Sequence, residues 1–379
     1  MRSGSRPLSE AHAAQRRVLV VGAGLIGTSI ALALRRRGHA VWLSDVDPMN
    51  LEQAVALGAG DAHRAEDVDL TVVAVPPGRA ARVVAEQLCA RPQGTVTDTA
   101  SIKAEVQRGV RALLLDAAGA GGDAALPRYV GGHPLAGRER GGPHRARADM
   151  FTGRAWVLTP EAHASVQSLH DAGWLARECG AVPVVMSGDE HDRALAVTSH
   201  LPQMVASALA AQVARQPDEV MQLVGQALRD MTRIAAGDPE LWADIAAGNA
   251  AQLAGALEEL SASLTRVADA LRADDRGADA VHGLVAAGRA GLRRIPGKHG
   301  GETRSFGIVP VLVEDKPGEM ARLLSDTAAE GVNLEDLRVE HAPGLPVGLI
   351  EVAVDAEAVP RLRAALLRRG WTLTDEPAR

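Results

Sequence analysis

Residues 18–27 read Val18-Leu19-Val20-Val21-Gly22-Ala23-Gly24-Leu25-Ile26-Gly27, a short β-branched run that passes directly into a Gly-x-Gly-x-x-Gly turn. In such a turn Gly22 permits the tight bend, Gly24 lets the backbone approach a pyrophosphate, and Gly27 lets the following helix pack closely on its strand. Amide N–H groups and the positive end of the helix dipole then face the phosphates. Thr28 to Arg37 is a good helical run that stops at Gly38, and Ala40 to Leu43 reads as a second strand just before Asp45. A carboxylate in that place accepts hydrogen bonds from ribose hydroxyls and repels a 2′-phosphate, so the pattern predicts NAD rather than NADP. Gly22, Gly24, Leu25, Ile26, Gly27 and Asp45 are the first candidate cofactor-binding residues.

Outward from this turn, strand and helix alternate to about Pro160. Leu51 to Leu57 and Ala80 to Leu88 read as helices, Leu70 to Val75 and Thr95 to Asp98 as strands, a pattern that predicts a parallel doubly wound sheet. Val75, Pro76 and Asp98 stand at strand ends, where open α/β sheets hold ligands, and complete the candidate cofactor set. Tyr129 to Gly132, Ala155 to Leu158 and Val182 to Val185 read as further strands, with a polar, Gly-rich loop from Leu135 to Asp149 among them.

From Ser187 to about Ala273 the chain turns to Ala/Leu-periodic helices, broken at Gly237-Asp238-Pro239, where Asp238 can N-cap a helix with Pro239 in its first turn. Ser305 to Leu373 then has a βαββαβ order with a ferredoxin-like layout. The expected organisation is an α/β Rossmann domain over 16–186, an all-helical domain over 187–293, a linker over 294–304 and a small domain over 305–375. The helices from Glu190 to Ala273 carry more apolar surface than one monomer covers, which predicts a homodimer.

Composition narrows the function classes. A chain of 379 residues exceeds one hydrophobic core, and with one Tyr and two Phe its cores must rest on Ala, Val and Leu. A net charge of −6 without a basic stripe gives no footprint for nucleic acid. Two cysteines, Cys89 and Cys179, lack metal-type spacing and fit a reducing cytoplasm, so no metal is expected. Met1 to Arg16 has no apolar leader, and no later run reads as a membrane span.

Four clusters could carry chemistry beside a nicotinamide. Thr97-Asp98-Thr99-Ala100-Ser101-Ile102-Lys103 ends a strand and makes Ser101 a candidate hydrogen-bonding group. Gly131-Gly132-His133-Pro134 puts a histidine at a strand end, placed to take a proton from a substrate hydroxyl while hydride leaves the same carbon. Thr198-Ser199-His200-Leu201-Pro202-Gln203 lies inside a helix, where the proline frees a carbonyl and turns polar side chains toward a cleft. Arg229 and Arg233, four apart on one helical face with Trp242 nearby, have the spacing to clamp a carboxylate.

Together these clusters resemble the prephenate dehydrogenase (TyrA) family of tyrosine biosynthesis. The likeness rests on Gly-x-Gly-Leu-Ile-Gly at 22–27, Asp-x-x-Ser-x-Lys at 98–103, Gly-Gly-His-Pro-x-Ala-Gly at 131–137, Ser-His-Leu-Pro at 199–202 and Thr-Arg-Ile-Ala-x-x-Asp-Pro-x-x-Trp at 232–242. The resemblance implies oxidation of the ring carbinol of prephenate or arogenate by NAD(P), with loss of the ring carboxylate as CO₂. It implies that His133 accepts the hydroxyl proton, Ser101 bonds that hydroxyl or the histidine, and Arg233 holds the side-chain carboxylate. Arg229, Ser199, Gln203, Arg138, Glu139 and Trp242 complete the implied substrate site. Many members have His where this chain has Gln203, and Gly-Thr-Glu or Gly-Ser-Glu where it has Gly137-Arg138-Glu139. Gln203 leaves arogenate, whose amino group an amide oxygen accepts from, as the alternative to prephenate.

The last domain resembles an ACT domain, with Asp315, Pro317 and Gly318 at the turn that implies an amino-acid effector site, tyrosine first. Competing readings are a β-hydroxyacid dehydrogenase or pyrroline-5-carboxylate-type reductase, families without a Gly-Gly-His-Pro loop, and a non-catalytic amino-acid sensor.

Overall fold

The computed structural model describes residues 15–63, 67–118, 124–136, 142–273, 277–295, 306–341 and 347–374. The chain divides into two compact units, residues 1–260 and 261–379.

The first unit is built on an eight-stranded sheet: β1 (Arg17–Val21), β2 (Ala40–Ser44), β3 (Asp61–Ala62), β4 (Leu70–Val73), β5 (Thr95–Asp98), β6 (Tyr129–Pro134), β7 (Ala155–Thr159) and β8 (Val182–Val185). The strands lie in the order β3-β2-β1-β4-β5-β6-β7-β8. Helices α1 (Leu25–Arg36), α2 (Pro48–Ala56), α3 (Pro77–Ala90), α4 (Ala104–Ala118) and α5 (Val166–Glu178) join them. Val18, Leu19, Val20, Leu70, Val72 and Val96 are buried, as central strands covered on both faces require. The strand order reverses direction between β1 and β4, so the crevice at their carboxyl ends is the topological switch point where such sheets bind ligands.

The sheet departs from the expected parallel arrangement at one place. β6 pairs antiparallel with β7, and β7 then runs parallel to β8. A parallel crossover needs a helix-length connection. Here the described part of the link carries only a 3₁₀ turn, Pro143–Arg145, and the chain comes back alongside β6. α1 also starts earlier than expected, directly at the glycine turn, with Gly24 as its N-cap residue.

A helical layer follows: α6 (Gly188–Leu195), a π-helical turn (Ala196–His200), α7 (Leu201–Val213), α8 (Asp218–Met221), α9 (Gln226–Thr232), a 3₁₀ turn (Arg233–Ala236), α10 (Pro239–Gly248) and α11 (Ala250–Arg272). Ser187 and Glu190 form a reciprocal capping box that fixes where α6 begins. Asp238 N-caps α10 by accepting from the Glu240 N–H at 2.9 Å, with Pro239 in the first turn. The π turn sits just before Pro202, which has no N–H to continue the regular ladder. Gly188–Val213 is continuous helix and contains an 18-residue stretch with a mean hydropathy of 1.2, so by length and composition alone it could cross a membrane. It also holds the buried polar side chains His191, Asp192, His200 and Gln203, which belong to the site described below.

The second unit contains α12 (Gly277–Leu292) and a four-stranded antiparallel sheet of β9 (Phe306–Glu314), β10 (Asp336–His341), β11 (Val347–Asp355) and β12 (Thr372–Leu373), with helices α13 (Glu319–Ala329) and α14 (Val359–Arg368). The order is β10-β11-β9-β12. Val309, Val311, Ile350, Val352, Leu323 and Leu362 form its core. Residues 296–304 of the expected linker lie outside the described residues.

Candidate active site

At the switch point the three glycines of the turn have separable roles. Gly22 has φ +101°, the left-handed region, and a Cβ there would collide with the Ala74 carbonyl oxygen. A Cβ on Gly27 would collide with the Gly22 carbonyl, which is how closely α1 packs on the turn. Gly24 is different: a Cβ on it meets nothing within 4 Å, so the backbone there faces open space at the N-terminus of α1. This is the cradle a pyrophosphate requires. Asp45, just past β2, accepts from the Ala23 N–H with one carboxylate oxygen and from the Asp47 N–H at 2.8 Å with the other, so it props the glycine turn. Val75 and Pro76 follow β4, with Val75 packed near Gly22 and Pro76 leading into α3. These residues fit a dinucleotide.

Asp98 stands at a strand end, as expected, but is turned into the protein. It is fully buried at the end of β5, accepting from Lys103, from the Ala100 N–H at 2.8 Å and from the Tyr129 hydroxyl at 2.7 Å. Both carboxylate oxygens are thus engaged within the protein, and Asp98 supports Lys103 rather than reaching for a nucleotide. Lys103 is fully buried as well and also donates to the Gly132 carbonyl at 2.7 Å. Burial pulls its ammonium below the usual value while the adjacent Asp98 carboxylate opposes the shift. Burial, and then Asp98, push the Tyr129 phenol well above its ordinary value, so it remains a donor.

His133 lies at the carboxyl end of β6, the same end of the sheet as the glycine turn, since β6 runs parallel to β5. Its Nδ1 is 2.8 Å from His191 Nε2, and His191 Nδ1 is 2.7 Å from Asp192 Oδ1. Asp192 also accepts from the backbone N–H groups of Lys103 and Ala104, each at 2.9 Å, and so caps α4 from a different helix. Burial alone would raise the Asp192 carboxyl; the bonds from His191, Ala104 and Lys103 outweigh it and hold the group below its usual value. Burial, followed by the charges of His191, Lys103 and His200, holds the His133 imidazole well below 6.5. His133 is therefore uncharged at neutral pH.

Asn249 ties this cluster to the next. Its Nδ2 donates to the Asp192 carbonyl at 2.7 Å and stands 3.2 Å from His200 Nδ1. Gly248 beside it has no room for a Cβ, because Ile102 packs against it. That contact sets the α10–α11 junction on the turn holding Ser101, which is half-buried between β5 and α4. The His200 ring meets Trp242 edge-on, with centroids 6.1 Å apart, and Gly237 lies between the Trp242 indole and the Gln203 amide. Gln203 is buried and donates to Ser207 Oγ at 3.3 Å, while Ser199 is half-buried on the same helix.

The two arginines do not share one continuous α-helical face. α9 ends at Thr232 and Arg233 opens the 3₁₀ turn, so the expected i,i+4 register is interrupted between them. Arg229 instead lines a groove of about 360 Å³ with Val213, Met221, Val224 and Leu228. Arg138 and Glu139 lie outside the described residues.

His191, Asp192 and Asn249 were not anticipated. His191 and Asp192 stand in the polar run Gly188-Asp189-Glu190-His191-Asp192-Arg193, which reads as a solvated helix start. The signal that would have found them is an adjacent His-Asp pair one turn after a capping box, on the face that continues into Leu195 and Ala196.

Comparison with known proteins agrees with this architecture. The family models described as "Prephenate dehydrogenase, nucleotide-binding domain" and "Prephenate dehydrogenase, dimerization domain" match residues 30–185 and 187–284. A probable prephenate dehydrogenase, NovF, of Streptomyces niveus is 35% identical over 366 residues, covering 94% of this chain and 99% of the relative. The solved prephenate dehydrogenase of A. aeolicus, in complex with hydroxyphenyl propionate and NAD+, superposes with a TM-score of 0.63 at 27% identity, over 74% of this chain and 99% of that one. The arogenate dehydrogenase of Synechocystis gives a TM-score of 0.60 at 26% identity, over 73% of this chain and 98% of that one. The chain belongs to the prephenate dehydrogenase family.

Proposed function

We propose that the protein is an NAD-dependent prephenate dehydrogenase, in which His133 is the general base for oxidation of the ring hydroxyl and the ring carboxylate then leaves as CO₂. The observation that carries this reading is a half-buried, uncharged histidine at the end of β6, on the side of the sheet where Gly24 opens onto the dinucleotide cradle. Bound NAD supplies the hydride acceptor. The protein's part is to hold the substrate hydroxyl against His133 Nε2 and to take its proton as the carbonyl forms. Ser101, on the adjoining turn, bonds that hydroxyl. Aromatisation then favours decarboxylation without a further catalytic group.

Gln203, Trp242 and Ser199 form the wall for the substrate side chain, with Arg233 for its carboxylate. Arogenate is the second reading, favoured by Gln203: its NH₂ group is turned to Ser207, which leaves the amide oxygen to accept from an ammonium. NADH formation by the pure protein offered prephenate and arogenate separately, each with NAD and with NADP, decides among these. No turnover of either substrate would overturn the enzyme reading.

The matched dimerization model supports a homodimer through the helical layer, in which α8 and α9 bury no residue within the chain. For the C-terminal unit we read an ACT-type domain with a tyrosine site at Asp315, Pro317 and Gly318. Its support is the strand order and Gly318, which caps α13 with φ 97°. Calorimetric binding of tyrosine to the full chain, abolished by Asp315→Ala, is the expected result; no heat of binding would remove the effector.

A further inference from the structure

We propose that His191 is a positioning residue for the base: it holds His133 in the tautomer whose Nε2 lone pair is available, and links the developing imidazolium to the Asp192 carboxylate. The inference rests on the reading of His133 as base.

The direction of each hydrogen bond follows from one end of the chain of contacts. Asp192 is held as a carboxylate by the Lys103 and Ala104 N–H groups at the start of α4 and has only lone pairs to offer. Its 2.7 Å contact with His191 Nδ1 is therefore a bond donated by His191. With its ring proton on Nδ1 toward Asp192, His191 offers a bare Nε2, and the 2.8 Å contact is then donated by His133 Nδ1. A neutral His133 so arranged has its proton on Nδ1 and an unprotonated Nε2. Without an acceptor at Nδ1, imidazole places its proton on Nε2, the atom that has to receive one.

The same line of contacts answers the charge created in the reaction. As the substrate O–H bond breaks, its proton bonds to His133 Nε2, and His133 keeps its Nδ1–H. The bond to His191 then becomes charge-assisted. Of the charged groups packed around the pair, Lys103 opposes the new charge, Asp98 is committed to Lys103, and His200 is turned to Asn249. Asp192, one histidine away, is the remaining counter-charge among these groups. His191 has no exposure of its own and does not need to touch the substrate to act.

The test compares His191→Leu, His191→Gln and His133→Asn in the full chain, by steady-state kinetics and by NMR of ¹⁵N-labelled histidine without substrate. In the unmodified protein His133 should show a protonated Nδ1 and a bare Nε2. His191→Leu should lower kcat roughly 100-fold with KM little changed, the scale of losing the group that orients a histidine, and should move the His133 proton to Nε2. His191→Gln, whose side-chain carbonyl still accepts from Nδ1–H, should recover much of kcat. Full kcat in His191→Leu, or a lowered kcat with the His133 tautomer unmoved, overturns the proposal. If His191→Leu does not fold, a protonated Nε2 on His133 in the unmodified protein overturns it alone. Activity surviving in His133→Asn would instead overturn the base assignment, and the two failures are thereby distinguishable.

Discussion

The Lys103 ammonium donates to the carbonyl oxygen of Gly132 at 2.7 Å, one residue before His133, while the backbone N–H of the same lysine holds Asp192. One buried residue thus fixes both the strand that carries His133 and the Asp192 carboxylate. Lys103→Met leaves Asp98 buried without its cation and should destabilise the protein by about 3–5 kcal/mol, the range for breaking one side of a buried pair. The double variant Lys103→Met/Asp98→Asn removes both charges and should recover part of that loss. Urea unfolding measures both, and a single variant as stable as the parent would show that the pair is not needed for the fold.

The glycine turn separates folding from binding. Gly24→Ala adds a methyl where nothing lies within 4 Å, so thermal stability should hold while NAD affinity falls. Gly22→Ala and Gly27→Ala drive a methyl into backbone carbonyls and should lower the melting temperature before any ligand is added. Equal melting temperatures for all three variants would contradict the geometry.

Asp45 props the turn through the Ala23 N–H, and it is the carboxylate proposed to meet the ribose. Asp45→Ala should weaken NAD and narrow the preference for NAD over NADP by about tenfold or more, since the repulsion toward a 2′-phosphate goes with the carboxylate. The ratio of kcat/KM for the two cofactors is the measurement. An unchanged ratio would move cofactor choice to another residue.

The buried histidines set two pH dependences. As the proposed base His133 acts when neutral, and it is held well below 6.5, so kcat/KM should stay level down through pH 6.5 and fall only at lower pH. A limb centred above 6.5 would contradict its burial. For stability, burial lowers His133 and His200 in the folded state, so between their unfolded and folded values the unfolded chain binds more protons. Folding free energy is then full above about pH 6.5 and declines as the pH drops through the folded values. His133→Asn should flatten that decline in urea titrations at successive pH values.

Local chemistry was legible in the sequence and distant chemistry was not. Gly22, Gly24 and Gly27 act on neighbours within a few residues, and strand–helix alternation specified the sheet and its continuation through Ala155 and Val182. The antiparallel pairing of β6 with β7 was not legible: the polar loop after Leu135 shows a connection but not the direction in which the chain returns. By contrast, Asp192 caps a helix that begins 88 residues earlier, at Ala104. A polar residue on an amphipathic helix gives no sign of which helix end it will meet. Arg229 and Arg233 were read as one helical face because spacing alone does not show that α9 tightens into a 3₁₀ turn at Arg233.

The π-helical turn at Ala196–His200 acts as a phase shifter between two histidines. In an unbroken α-helix, residues nine apart point to nearly opposite sides, at about 100° per residue. The wider turn takes up part of that rotation, which lets His191 meet His133 while His200 meets Asn249 and Trp242. Wound as a regular α-helix with every residue kept, the segment beyond the turn would swing by about 100° relative to His191. The spacing between the base and the side-chain wall is thus written into the pitch of a single helix.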